Sequence, residues 1–427
     1  MSGGRVDCGS PSPEPDLTGF ADLARAAAAA LEARPAVPLA LATLVAVEGS
    51  SYRQPGARLL VDAEGRVLAG AVSGGCLEGD VAARAAAVCA SGEAIRLRYD
   101  LRTDLETIWG FGAACDGIAH LLLEPLPDWR WLAEADARRQ QRHGGAVLTV
   151  LTATGGASAL APDHGATDQR VRVVDRDQGV RVVDPEMLDH AEVAMAVELA
   201  QRTGAPTLFD LPAGRSVLVD PLVAPIALHC VGAGRGAEAF ARIASTLGWT
   251  VAILDHRPAM LEGLDVPAGV RLVPVRGIDG LPEALATLPC DARTAVALLS
   301  HVFEADATWL ATCLPLPVAY IGLLGSRRRG AQLLDRVSAD FAAQGAPLAP
   351  RVRQKLHAPI GLDLGGEDPA SIALAAIAEI EAVMHGRPGG FLRERQSPIH
   401  TRTPTPRLLE SAPALLTPGQ CATPRER

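Results

Sequence analysis

One stretch restricts the fold of this chain more than any other. Residues 226–231 form an apolar run, Gly232-Ala233-Gly234-Arg235-Gly236-Ala237 comes next without a break, and a helical pattern continues to Leu247. Residues 250–254 read as the next strand, closed by Asp255. A strand, G-x-G-x-x-A, a helix and then an acid about twenty residues on make the fingerprint of a dinucleotide-binding βαβ unit. In that fingerprint Gly232 makes the turn and Gly234 lets a pyrophosphate approach. Ala237 lets helix and strand pack closely, and Asp255 stands where a ribose 2′-OH is bound. Asp255 favours NAD over NADP, and Arg257, two residues on, leaves a 2′-phosphate open. A coincidental glycine turn is the competing reading, and the rest of this half of the chain weighs against it. Strand and helix patterns alternate over residues 270–275, 281–288, 294–299, 305–313 and 318–321. That alternation implies a Rossmann-like, doubly wound parallel sheet.

The first half of the chain is built around AVSGGCLEGDVA, residues 71–82. An apolar approach runs into Ser73-Gly74-Gly75-Cys76, and Leu77-Glu78-Gly79-Asp80 opens an alanine-rich helix. Adjacent glycines let a ligand come close to the main chain, and the amides of a new helix favour an anion. Cys76 stands at that helix end, where the field favours a thiolate that serves as nucleophile or soft ligand. A tight turn whose cysteine is a small buried hydrophobe explains the spacing equally well. A second glycine–cysteine loop, Trp109-Gly110-Phe111-Gly112-Ala113-Ala114-Cys115-Asp116-Gly117, leads into a strand over residues 118–123. Cysteines in two such loops suit one soft or sulfur-bearing ligand, although nothing in the spacing brings the loops together.

The remaining organisation comes from length and punctuation. A chain of 427 residues implies two or three domains. Residues 1–16 read as a disordered, Pro-rich lead without the pattern of a signal peptide. Residues 17–225 read as an N-terminal α+β domain with a strand-rich middle segment, residues 226–386 as the Rossmann-like domain, and residues 387–427 as a disordered Pro- and Arg-rich tail. In the middle segment strands are expected over residues 147–151, 170–174, 180–183 and 216–219, with a helix over residues 189–202. The formal net charge of −9, with no Arg-rich block, argues against nucleic acid as the main partner. The eight cysteines form no C-x-x-C pair, so a structural zinc site is not expected. The most apolar early run, residues 20–47, is interrupted by Arg25, Glu32, Arg34, Pro35 and Pro38, which rules out a single bilayer-spanning helix. Reduced thiols in the cytoplasm are the expectation for such a chain. Further on, Gly325-Ser326 before a helix puts Arg327, Arg328 and Arg329 in reach of an anion, but a capped helix start with a solvated basic turn is the preferred reading. His357 sits in an irregular loop where it binds a ligand or caps a turn. Asp368 and Pro369 are placed as N-cap and first residue of a helix running to His385.

Taken together, AVSGGCLEGDVA, the Cys115 loop ending in HLLLEPL, VGAG followed by LDHRP, YIGLLGSRRR, and KLHAPIGLDLGGEDPASIALAAIAEI resemble the XdhC/CoxI family. The resemblance covers most of residues 39–385, in the family's own order. It implies an accessory protein, more a carrier than an enzyme, for molybdenum hydroxylases of the xanthine dehydrogenase or aldehyde oxidase type. Such a protein binds the molybdenum cofactor (molybdopterin), a pterin dithiolene bearing a phosphate, supports its sulfuration, and hands it to the apo-enzyme. The implied partners are that apo molybdenum hydroxylase and a cysteine desulfurase, with a homodimer as one assembly open to the chain. On this resemblance the cofactor-binding residues are Ser73, Gly74, Gly75, Cys76, Glu78 and Cys115, with Cys76 and Cys115 as the metal-facing pair. Gly232, Gly234, Ala237 and Asp255 would hold an NAD(P) nucleotide. The chain departs from the family where Arg235 replaces the usual His, where Ser300 and Val302 flank His301 in place of Thr and Asp, and at Gly365-Gly366-Glu367-Asp368. All three departures fall on the C-terminal unit. The alternative is an NAD(P)-dependent oxidoreductase acting on a small molecule, although no Tyr/Lys, His/Asp or Ser/His pair is placed for hydride chemistry. A pure interaction scaffold is a third reading.

Overall fold

A computed structural model describes residues 19–101, 117–151, 171–175, 190–211 and 215–396. These divide into two compact units between Ala224 and Pro225.

Unit 1 opens with helix α1 (Phe20–Ala33) and a strand run of β1 (Leu39–Gly49), β2 (Arg58–Asp62) and β3 (Val67–Gly70). Helix α2 (Glu78–Ser91) then precedes β4 (Ile95–Asp100) and β5 (Gly117–Pro125). The five strands form an antiparallel sheet in the order β3-β2-β1-β5-β4. Side chains alternate between faces along a strand, and β1 uses both. Ala40, Ala42 and Leu44 pack with Val81, Ala85 and Val88 of α2. Leu39 and Leu41 pack on the opposite face with Leu23 and Ala27 of α1. Gly92, with a φ of 70°, ends α2 in the left-handed conformation that glycine favours.

Helix α3 (Arg130–Gln140) leads to β6 (Gly145–Leu151) and β7 (Val171–Asp175), followed by α4 (His190–Thr203), β8 (Thr207–Leu211) and β9 (Arg215–Pro221). These strands make a second antiparallel sheet, β7-β6-β9-β8. Leu151, Leu208 and Leu218 from this sheet cluster with Val45, Ala46 and Leu122 of the first. Strand β8 has no counterpart among the sequence expectations. It is five residues long, directly follows Gly204-Ala205-Pro206, and is held by its register with β9. The strand expected over residues 180–183 lies outside the described residues, as do residues 1–16, most of the expected tail and the Cys115 loop.

Unit 2 contains β10 (Ala227–Val231), α5 (Arg235–Thr246), β11 (Thr250–Asp255), α6 (Pro258–Glu262) and β12 (Arg271–Pro274). It continues with α7 (Leu281–Leu285), β13 (Thr294–Leu298), α8 (Phe303–Cys313) and β14 (Tyr320–Leu323). The last elements are α9 (Arg327–Ala343), α10 (Pro350–Arg353), the two-residue β15 (Leu356–His357) and α11 (Pro369–Met384). All six strands are parallel, in the order β12-β11-β10-β13-β14-β15. This is the doubly wound Rossmann order, and the sheet is covered on both sides. Val296 and Leu298 of β13 face α8 and α9, whereas Ala295 and Ala297 face α5 and α11. The strand order reverses between β10 and β13, so the crevice for a ligand opens at their carboxyl ends. Among the described residues no helix is long and apolar enough to cross a membrane.

Two caps match the sequence closely. Ser326 accepts a hydrogen bond from the Arg329 N–H at the start of α9, and Asp368 accepts from Ala370 and Ser371 at the start of α11.

Candidate functional site

In unit 1 the loop between β3 and α2 is tied by its own side chains. The Glu78 carboxylate, from the first turn of α2, folds back and accepts the backbone N–H groups of Val72 (3.1 Å), Ser73 (2.8 Å) and Leu77 (3.2 Å). It also accepts the Ser73 hydroxyl. Ser73 Oγ in turn accepts from Gly75 and Leu77, each at 3.1 Å. Half-burial pushes the Glu78 carboxyl up, but the Ser73 hydroxyl and the surrounding backbone N–H groups more than offset this and hold it below the usual range. The amides at Gly75 and Leu77, expected to face an anion, are therefore occupied by groups of the protein's own. Gly74 and Cys76 keep amides without a partner among the described residues.

The clasp leaves Ser73 and Leu77 buried and turns Gly74, Gly75 and Cys76 outward. Cys76 is a free, exposed thiol, not a buried hydrophobe. Beside it lies a residue that sequence reasoning passed over. A Cβ on Gly74 would meet the Tyr52 ring at 3.5 Å, and Tyr52 is 69% exposed with the Arg53 guanidinium 5.6 Å from its centroid. Tyr52 comes from the polar β1–β2 loop, and no local pattern links it to the glycines. Behind the loop, Tyr99 donates to Asp80 at 2.6 Å and Arg84 pairs with Asp80 at 2.9 Å, which secures the first turn of α2. Cys115 lies outside the described residues, so its relation to Cys76 is not part of this geometry. Among the described residues no group of three or more His, Cys, Asp or Glu is arranged to hold a metal ion.

In unit 2 the fingerprint residues gather at the crevice. Gly232 has a φ of 111°, and a Cβ there would lie 2.9 Å from the Ser300 amide nitrogen. The turn thus sits directly against the end of β13. Gly234 precedes α5 with a φ of 147°, and a Cβ there would enter open space. Ala237 is buried against the sheet. No side chain caps α5, so its first N–H groups are left to a ligand or water.

Asp255 is fully buried, and its carboxylate accepts from Ala233 N–H (2.7 Å), Arg257 N–H (2.8 Å), and Arg257 Nε (3.0 Å) and Nη2 (2.9 Å). Burial raises this carboxyl, but the Arg257 and Ala233 hydrogen bonds outweigh it and hold the group below the usual range.

Next to the switch point is a cavity of about 490 Å³, lined by His301, Leu324, Gly325, Arg329, Pro359, Ile360 and Ile372. Its wall is largely apolar, with His301 and Arg329 as the polar groups, and it is open to solvent. Arg329, expected on a solvated turn, instead reaches the fully buried Asp306 at 2.5 Å. His357 neither caps a turn nor stands free. It stacks on Tyr320 with centroids 4.3 Å apart, and its Nδ1 lies 3.1 Å from Glu379, which also accepts the Tyr320 hydroxyl (2.5 Å) and the Gly361 N–H (2.8 Å). This network joins β14, β15 and α11.

Two family models match the chain. The XdhC and CoxI family matches residues 32–100, and the XdhC Rossmann domain matches residues 228–380. A Bacillus subtilis (strain 168) protein described as a probable xanthine dehydrogenase subunit is 27% identical over 344 residues. That match spans 80% of this chain and 91% of the relative. The uncharacterized protein YqeB of Escherichia coli (strain K12) is 30% identical over 171 residues, which is 40% of this chain and 30% of YqeB. In fold, the chain is similar to a crystal structure described as a xanthine dehydrogenase from Bacillus halodurans. The TM-score is 0.62 at 22% identity, over 86% of this chain and 96% of that one. With one model on each unit, the chain belongs to the XdhC and CoxI family of xanthine dehydrogenase accessory-like proteins.

Proposed function

We propose that the chain carries the molybdenum cofactor for a molybdenum hydroxylase of the xanthine dehydrogenase or aldehyde oxidase type, and supports its sulfuration and insertion. The observation that carries this reading is the exposed thiol of Cys76, held outward on a turn that Glu78 and Ser73 cross-link from within. Family membership gives that thiol its context.

The donor set suits one part of such a cofactor better than another. A soft thiol suits a soft metal or sulfur centre, and the exposed Tyr52 ring beside Gly74 offers a flat face to a pterin. The phosphate fits less well, because the Glu78 carboxylate already occupies the amides of Val72, Ser73 and Leu77. Of the amides between Val72 and Leu77, those of Gly74 and Cys76 remain for it. We therefore assign Cys76 and Tyr52 to the cofactor's metal-dithiolene and pterin parts, and Glu78 and Ser73 to positioning the loop. When bound, the cofactor supplies the molybdenum centre that the client enzyme needs. The protein's own residues hold it, orient it and present it.

Activation of an apo molybdenum hydroxylase by purified protein, with a cysteine desulfurase as sulfur donor, tests this function. The wild type is expected to restore activity and Cys76→Ala to leave the client inactive. Equal activation by both would refute the role of Cys76, and no activation by the wild type would refute the function.

A further inference from the structure

The Rossmann fold of unit 2 implies a nucleotide, and the crevice fits one at its phosphate end. Gly234 keeps open the space that a Cβ would fill, α5 begins without a side-chain cap, and Gly232 brings the turn against the end of β13. The ribose end is built differently from the arrangement that the fingerprint implies.

The acid at the end of the second strand ordinarily receives the ribose hydroxyls through its free lone pairs. Asp255 has none to give. Each carboxylate oxygen takes two N–H donors: Oδ2 accepts from Ala233 and Arg257 Nη2, and Oδ1 accepts from the Arg257 amide and Nε. Four N–H donors fill the four acceptor positions of a carboxylate. Asp255 is also shut away from solvent, whereas the Arg257 side chain is 48% exposed. Arg257 Nη1 has no partner among the described residues. A nucleotide entering the crevice meets a guanidinium where the fold ordinarily offers a carboxylate.

We infer that unit 2 binds adenine nucleotides bearing a 2′-phosphate in preference to those with a free 2′-hydroxyl, and that Arg257 is the residue that discriminates. A 2′-hydroxyl has no acceptor unless it displaces a two-pronged Arg257–Asp255 pair. A 2′-phosphate instead gains a charge-assisted contact to an arginine already fixed in place. Asp255 positions that arginine and does not touch the ligand. The preference belongs to unit 2 alone and does not rest on the cofactor reading of unit 1.

The test is calorimetric titration of the full chain with adenosine 2′,5′-bisphosphate and with 5′-AMP, which differ only at the 2′ position. The bisphosphate is expected to bind about tenfold tighter or more. In Arg257→Gln, which keeps an amide to hydrogen-bond Asp255 but removes the charge, that preference falls to within about twofold. Equal or tighter binding of 5′-AMP by the wild type would overturn the inference. So would the absence of binding by either ligand up to about 1 mM, or an unchanged preference in Arg257→Gln. The wild-type titrations decide the preference even if the variant fails to fold, and NADP against NAD provides a second pair with the same expected order.

Discussion

Replacing Glu78 with Ala removes the clasp that shapes the Cys76 loop. Three backbone N–H groups and one hydroxyl lose a charged acceptor, at N–O distances of 2.8, 3.1 and 3.2 Å for the amides. A hydrogen bond to a charged group contributes about 1.5–3 kcal/mol, but the two longer bonds are weaker and the carboxylate is only half-buried, so we expect about 2–3 kcal/mol in total. For a unit of this size that lowers the melting temperature by about 5–10 °C. Glu78→Gln keeps one carbonyl acceptor but turns an NH₂ toward other donors, at a cost of about 1–2 kcal/mol. Hydrogen exchange should show faster exchange at residues 72–77 in both variants, and thermal melting should rank them Ala below Gln below wild type. The carboxyl is held below its ordinary value in the fold, so its contribution is complete above the unfolded glutamate pKa of about 4.3. It is lost as pH falls through the lower folded-state value, and Glu78→Gln removes that part of the pH dependence. A Glu78→Ala protein that melts within about 1 °C of wild type, with unchanged protection of the loop amides, would refute this account.

Two further perturbations test the frame around the sites. Arg58 and Asp220 form a buried pair at 2.6 Å in unit 1, with the guanidinium 4.7 Å from the Phe20 ring centroid. Arg58→Ala strands a buried carboxylate and is expected to cost about 3–5 kcal/mol in urea denaturation, with Arg58→Ala/Asp220→Ala recovering part of it. In unit 2, Glu379→Ala leaves the fully buried Tyr320 hydroxyl and the Gly361 N–H without their acceptor. A loss of about 2–4 kcal/mol is expected, and adding Tyr320→Phe should return some of it because the stranded hydroxyl is gone.

The architecture of unit 2 was legible because its signals are local. The turn glycines, the small residue at Ala237, the Ser326 and Asp368 caps and the alternation of apolar runs each act within a few residues of their effect. Less could be read where the outcome depends on side chains returning from elsewhere. The helix start at Leu77 promised free amides, yet Glu78 reaches back over them. A serine and a glutamate at the mouth of a helix are capping residues, and that signal was available. At Asp255 the sequence carried both the acid and Arg257 but not the direction of either side chain. Tyr52 beside Gly74 and Glu379 beneath His357 are meetings across the fold, and no spacing in the chain announces them. Strand β8 is too short to show a period, and its pairing with β9 defines it.

Cys76 on this braced loop is the residue proposed to hold the molybdenum cofactor. The most direct test of that role is the molybdenum and pterin content, per mole of protein, of wild type and Cys76→Ala purified anaerobically from a cofactor-producing host. The side chain is exposed, so the substitution should leave the melting temperature unchanged and the comparison free of a folding effect. Molybdenum and pterin are expected together on the wild type, with little of either on the variant. Equal content in both proteins, or none in either, would contradict that role.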